Sequence, residues 1–338
     1  MCFCLLYRIY LTRLGRWMHH RQIQSLTEKH YQQPKSQEFN YDQFNIKVIN
    51  VPYLKDNYGF IVVNTVTNNY VLIDPADFER VSAVLEQFNI TGEPLFILST
   101  HKHWDHAGQN YVYQQKYPHI KIYGGYGEGV DRATHTLRDG DEVKFNDLCS
   151  FTAIHTPCHT RNHMMYKLEL KTELASIEIQ PLVFTGDCIF YGGTGMFFEG
   201  NANDMQKIVD EKVMNNLPDN THLFFAHEYA LNNLKFAKQM CPDNKYIITE
   251  YQKVKKNAIE GIPSLPGVLG QEKLYNLFYQ TRDLAIQELM KSKDAISTMA
   301  SLRQARTTFT KALETKKKQQ EKQAIRKQLG PQSKMKNQ

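Results

Sequence analysis

At 338 residues, 41% hydrophobic and 22% charged, the chain can bury a substantial core in one large domain or two smaller ones. Six scattered cysteines fit a reducing compartment better than secretion, and no apolar run reaches the length of a membrane span. The formal charge of +6 sits at the ends: residues 1–36 carry six Lys/Arg against Glu28, and residues 311–338 carry nine against Glu314 and Glu321. The body between them is net acidic, which argues against a nucleic-acid partner.

Up to Thr27 there is no acidic residue, and Arg8, Arg13, Arg16 and Arg21 alternate with Leu5, Leu11, Leu14 and Trp17. This is the composition of a mitochondrial presequence; a floppy extension, or a start site upstream of the true one at Met18, is the alternative reading. Residues 28–44, rich in Gln, Asn and Tyr, read as a linker. From Ile46 short β-type runs begin, at 47–51, 60–63 and 70–73, with Lys55 to Gly59 as a turn. Helical spacing covers Phe78 to Phe88, and the apolar run 94–99 reads as a buried strand. A helix over 107–115 and strands at 120–123, 142–145, 151–154, 164–168, 182–184 and 223–226 follow. The chain then turns helical, at 232–240, 250–258 and 284–313, with a Pro-containing loop over 261–270. From Lys316 the Lys/Gln-rich tail lacks apolar heptads and reads as solvated and partly helical.

The most informative stretch is Thr100-His101-Lys102-His103-Trp104-Asp105-His106. Three imidazoles and a carboxylate this close compete for solvation and cost folding energy unless something binds them. Nitrogen and carboxylate donors suit zinc, and also iron or manganese. Three more candidates each follow a predicted strand: His159 in Thr156-Pro157-Cys158-His159-Thr160, Asp187 in Thr185-Gly186-Asp187-Cys188, and His227. Strand ends on one rim of a sheet can converge on one site. His119, His135, His155, His163 and His222 lack partners at ligand spacing and read as structural or exposed, as does the pair His19-His20. Cys158 and Cys188 read as packing behind the ligands beside them.

These motifs resemble the metallo-β-lactamase superfamily and, within it, the glyoxalase II (hydroxyacylglutathione hydrolase) family. The resemblance runs from about Ile46 to Phe309, through THKHWDHAGQN, DNYGF, IDPAD, TPCHT, FTGDCIF, FFEG and HEYALNNLKFA, with a weaker match over TMASLRQARTTF. It implies an α/β fold, the metallo-β-lactamase αββα sandwich, followed by a C-terminal α-helical domain. The chain then divides into a basic extension and linker (1–44), a metallo-β-lactamase domain (45–227), a helical substrate-binding domain (228–310) and a basic tail (311–338).

The resemblance further implies two divalent cations, zinc first, with iron or manganese as alternatives. His101, His103 and His159 would hold one, Asp105, His106 and His227 the other, and Asp187 would bridge them. Such a pair lowers the pKa of a shared water and polarises a carbonyl. Asp105 would also orient the nucleophile. The implied substrate is a glutathione thioester, S-D-lactoylglutathione, in methylglyoxal detoxification; its thiol, with a pKa of roughly 8.5, leaves without a strong acid. Phe197, Tyr229 and Asn233 would contact the glutathione. The family's usual Lys and Tyr are replaced by Met196 and Phe198, and an expected arginine by Gln280, with Arg282 two positions on. These departures point to weaker glutathione binding or another acyl-thiol. A persulfide dioxygenase with one iron is the other alternative. A monomer in the cytoplasm or the mitochondrial matrix, without membrane or nucleic-acid partners, completes the expectation.

Overall fold

The computed structural model describes residue 12 and residues 34–170 and 180–328. The expected presequence and the last residues of the basic tail lie outside them. Seven strands form a first sheet in sequence order: β1 (Glu38–Tyr41), β2 (Ile46–Tyr53), β3 (Asn57–Asn64), β4 (Tyr70–Ile73), β5 (Phe96–Leu98), β6 (Lys121–Gly125) and β7 (His135–Leu137). The second sheet contains β8 (Glu142–Lys144), β9 (Cys149–His155), β10 (Met164–Leu170), β11 (Leu182–Gly186), β14 (His222–Phe225) and β15 (Gly267–Val268). Its order is β15-β14-β11-β10-β9-β8, and β12 (Ile189–Phe190) and β13 (Gly193–Thr194) make a separate hairpin.

Both faces of the first sheet are apolar because both are covered. Along β2 and β3, Ile46, Val48, Phe60 and Val62 face the second sheet, while Ile49, Val51, Ile61 and Val63 face outward. The layer between the sheets is aromatic: Phe184 stacks on Phe224 at 5.1 Å, and Phe60 lies 5.3 and 5.5 Å from the two rings. Helices α1 (Phe78–Gln87), α2 (Trp104–Ala107) and α3 (Asn110–Lys116) follow strands of the first sheet, whose outer face packs on Val81, Val84 and Tyr113. The later helices are α4 (Ala202–Lys207), α5 (Ala230–Met240), α6 (Lys245–Glu260), α7 (Leu269–Tyr275), α8 (Leu284–Leu289) and α9 (Ala295–Gln328). They bury Leu234, Ala237, Leu269 and Leu302 with Val183 and Leu223 of the second sheet. The result is the expected αββα sandwich with a helical C-terminal region.

Several elements differ from the sequence reading. Residues 38–41, read as linker, are edge strand β1, antiparallel to β2 in the register Glu38↔Ile49. Phe39 reaches Phe224 at 5.6 Å and the Tyr41 hydroxyl lies 2.7 Å from His222 Nδ1, so tertiary contacts outweigh a polar composition. Within the expected loop 261–270, β15 extends the second sheet beside β14. The single helix expected over 284–313 is broken: Lys291 takes a left-handed φ of 52°, and Asp294 accepts the Ser297 N–H at the start of α9. That helix continues through Gln328. Unforeseen α4 opens on a capping box between Asn201 and Asp204 and runs into π-helical turns over Ile208–Met214.

Fully buried Glu272 of α7 accepts from Gly192 N–H (2.9 Å), the Tyr275 hydroxyl (2.9 Å) and Asn276 Nδ2 (3.0 Å). Burial outweighs these donors, and its carboxyl is pushed up to about 8. The fold therefore favours the protonated form. Its stabilising contribution is complete below the ordinary carboxylate value of 4.5 and is lost as the pH rises through about 8. Relative to wild type, Glu272→Gln should gain thermal stability progressively between pH 5 and 9. A constant difference in unfolding midpoint across that range would contradict this assignment.

Candidate metal centre

Every candidate ligand stands just past a strand end, at one end of the sandwich. His101 and His103 follow β5, and Asp105 and His106 lie in α2. His159, Asp187 and His227 follow β9, β11 and β14. Parallel pairing of β11 with β14, with Gly186 opposite Phe225, brings Asp187 beside His227. Gly186 has φ +49°, and a Cβ there would come within 2.6 Å of His163 Nε2 and 2.7 Å of Thr100. Only glycine lets the chain turn this tightly into Asp187.

The seven side chains form two groups, His101, His103, His159 and Asp187 in one, and Asp105, His106 and His227 in the other; within each, the donor atoms lie within 4.8 Å of one another. In the first, His103 Nδ1 lies 2.9 Å from His101 Nε2 and 3.1 Å from His159 Nε2. In the second, Asp105 Oδ2 lies 3.6 Å from His106 Nε2 and 3.7 Å from His227 Nε2. Asp187 faces both. Its Oδ2 is 3.3 Å from His159 Nε2, while Oδ1 is 3.4 Å from His106 Nε2 and 3.2 Å from His227 Nε2.

Outer groups orient the rings. Asp74 Oδ2 accepts from His106 Nδ1 (3.0 Å) and from the Thr100 hydroxyl (2.7 Å), which in turn can accept from His101 Nδ1 (3.0 Å). Asp56 takes His227 Nδ1 at 3.0 Å, and the Met196 carbonyl takes His159 Nδ1 at 3.0 Å. With Nδ1 turned outward on these four rings, Nε2 of each is aimed inward. Asn57 Nδ2 donates to Asp105 Oδ2 at 3.0 Å. His163 is buried behind the ligands: its Nε2 accepts the Asp187 N–H (3.1 Å) and its Nδ1 meets Thr156 Oγ1 (2.8 Å). Of these supports, Asp56, Asn57 and Asp74 fall in the DNYGF and IDPAD segments, where the sequence reading assigned no role.

Electrostatics separate the groups. Burial and neighbouring imidazoles hold His101 and His103 well below the ordinary histidine range. Burial opposes the charge on His106 too, but Asp187, Asp105 and Asp74 outweigh it and push the ring up to about 9. Burial likewise opposes the ionised form of Asp105, yet His106 and His227 bring it down to about 2. Burial opposes the charge on Asp187 as well, yet His227, His106 and His159 hold it well below the ordinary carboxylate range. The donor set suits a divalent cation: buried His106 Nε2 and Asp187 Oδ1 have no hydrogen-bond partner, and imidazole nitrogens and carboxylate oxygens converge within each group.

The expected substrate residues lie nearby. Tyr229 stacks on His227 at 4.8 Å, and the Phe198 ring is 5.0 Å from His159 and 5.9 Å from His103. Phe197 is partly exposed in the same loop. Asn233 is buried, donating from Nδ2 to the Tyr191 carbonyl (2.8 Å) and accepting from Arg306 at Oδ1 (2.8 and 3.0 Å). Gln280 donates to the Lys273 carbonyl (2.9 Å), and Arg282 pairs with Asp210 (2.8 Å). Cys158 and Cys188 are buried in the core behind the site.

Relatives agree with this architecture. A family model described as "Hydroxyacylglutathione hydrolase C-terminus" matches residues 228–309. The "Hydroxyacylglutathione hydrolase cytoplasmic" of Arabidopsis thaliana is 34% identical over 258 residues, covering 76% of this chain and 97% of that protein. The chain belongs to the hydroxyacylglutathione hydrolase family. A "Hydroxyacylglutathione hydrolase" of Rippkaea orientalis is 35% identical over 267 residues, 78% of this chain and all of the relative. One from Gloeothece citriformis is 35% identical over 266 residues, again spanning its full length. This member is thus a metal-dependent hydrolase built on an αββα sandwich. Among the described residues, no helix is long and apolar enough to cross a membrane.

Proposed function

We propose that the chain hydrolyses the thioester of S-(2-hydroxyacyl)glutathione, S-D-lactoylglutathione in methylglyoxal detoxification, releasing glutathione and a 2-hydroxy acid. The observation that carries this reading is the two-sided placement of Asp187, one oxygen toward each group of imidazoles, in a chain of this family. His101, His103 and His159 would hold one divalent cation and Asp105, His106 and His227 the second, with Asp187 placed to serve both. Zinc is the first choice for both. When bound, such a pair lowers the pKa of a shared water and polarises the thioester carbonyl.

The residues divide the remaining work. Asp105, steadied by Asn57, orients the attacking water. Phe197 and Tyr229 face the thiol part of the substrate; Asn233, expected as a third contact, turns its amide to the Tyr191 carbonyl and Arg306. The 45–227 region carries the catalyst and 228–310 the substrate contacts, in a monomer acting in the cytoplasm or the mitochondrial matrix. Purified protein loaded with zinc should release thiol from S-D-lactoylglutathione; the same metal-loaded protein inert on this substrate but active on another acyl-thiol would overturn the assignment. The loop beside the ligands presents Met196, Phe197 and Phe198, with no cation among them. A carboxylate gripped through charge-assisted bonds loses affinity without its cation. The Michaelis constant for S-D-lactoylglutathione should therefore fall about tenfold in Met196→Lys. An unchanged constant in that variant would show that this position does not meet the glutathione.

Ring orientation is also open to test. Asp56 meets His227 at Nδ1, so Asp56→Ala should leave all seven ligands in place while lowering metal affinity about 10- to 100-fold. A chelator competition giving wild-type affinity would remove Asp56 from the account.

A further inference from the structure

Residues 191–195 connect Asp187 to Met196, whose carbonyl fixes His159, and each of the five is held by a side chain from the C-terminal helical region. Asn233 of α5 donates to the Tyr191 carbonyl at 2.8 Å. Glu272 of α7 accepts the Gly192 N–H at 2.9 Å, and Asn276 donates to the Gly193 carbonyl at 3.4 Å. Arg303 of α9 donates from Nη1 to the Thr194 carbonyl at 2.9 Å and to the Gly195 carbonyl at 3.4 Å. On the next turn of α9, Arg306 secures Asn233 and the Thr307 hydroxyl reaches Met196 Sδ at 3.7 Å.

On its other side this segment lies directly against the ligands. Gly195 N–H donates to the Cys188 carbonyl at 3.0 Å, and a Cβ on Gly195 would fall 1.8 Å from the Asp187 carbonyl oxygen. The next residue, Met196, takes His159 Nδ1. A shift of the segment would therefore move the support of two candidate ligands together.

The geometry points to a second role for the C-terminal helices: with Arg303 as the last contact before Met196, they are a positioning clamp that sets His159 and Asp187 for the cation. This rests on the two-metal reading above, and Arg303 acts only through the backbone it holds. A helical region serving the substrate alone would have no need to hold five consecutive backbone positions beside the ligands. Backbone carbonyls are acceptors that a guanidinium or an ammonium can hold, so lysine should substitute in part.

The test is zinc binding by full-length wild type, Arg303→Ala, Arg303→Lys and Val81→Ala, each titrated against a chromophoric chelator. Val81 is buried on the far helical layer, so its truncation reports loss of stability alone. In Arg303→Ala one of the two zinc sites should weaken about tenfold, with Arg303→Lys recovering part of the loss and Val81→Ala binding like wild type. Wild-type affinity in folded Arg303→Ala, or an equal loss in Val81→Ala, would overturn the clamp while leaving the two-metal site standing. Fewer than two zinc equivalents on wild type would overturn both.

Discussion

Asp187→Ala should lower turnover at least about 100-fold and reduce bound metal below two equivalents per chain, as measured by thioester hydrolysis alongside metal analysis. The magnitude follows from position. One Asp187 oxygen lies 3.3 Å from His159 Nε2 and the other 3.4 and 3.2 Å from His106 and His227 Nε2. Alanine removes the carboxylate that faces both groups and leaves converging buried imidazoles without their shared counter-charge. Asp187→Asn keeps the shape but halves the acceptor capacity, so it should retain some metal yet remain strongly impaired. Near-normal turnover in the alanine variant would mean that one cation, or none, suffices.

The second large effect is expected at Asp74, whose side chain receives three donors. Its oxygens accept from Thr100 N–H (2.7 Å), the Thr100 hydroxyl (2.7 Å) and His106 Nδ1 (3.0 Å), all buried. Its backbone has φ 47°, which asparagine tolerates and alanine does not, so Asp74→Asn isolates the side-chain chemistry. An amide offers one acceptor oxygen where the carboxylate offers two, and turns a donor toward donors. At least one buried donor is left unmade, at a cost of roughly 1–3 kcal/mol. His106 loses the bond that aims Nε2 inward. Asp74→Asn should therefore lower both the unfolding midpoint and the occupancy of the Asp105, His106 and His227 site; a stable variant that still binds two metals would show that Thr100 and His106 hold themselves.

The divide between legible and illegible features follows range in the chain. His101, His103, Asp105 and His106 could be read directly, because four donors in six residues have no packing purpose. His159, Asp187 and His227 were legible because each follows a β-type run, and the sheets gather those ends. Asp56 and Asp74 were not, since a lone carboxylate acquires meaning only when the fold places it 3.0 Å from His227 or His106. The Met196 support of His159 was invisible for a stronger reason: it is a backbone carbonyl, and residue identity does not encode it. His163, read as structural, is indeed no donor in either group, yet it accepts the Asp187 N–H. In the fold, the runs facing two covered surfaces read clearly as strands. Edge strands β1 and β15 did not, because Phe39, Tyr41 and a two-residue pairing at Gly267–Val268 depend on partners far along the chain.

A thioester hydrolase working with two metals must lose and regain activity with both of them. The most direct measurement is metal content per chain, taken together with S-D-lactoylglutathione hydrolysis before chelation, after chelation and after zinc is returned. The active protein should carry two equivalents, lose turnover once they are stripped, and recover to a maximum at two equivalents returned. Full activity in the stripped protein, or a maximum at a single equivalent, would contradict the two-metal reading.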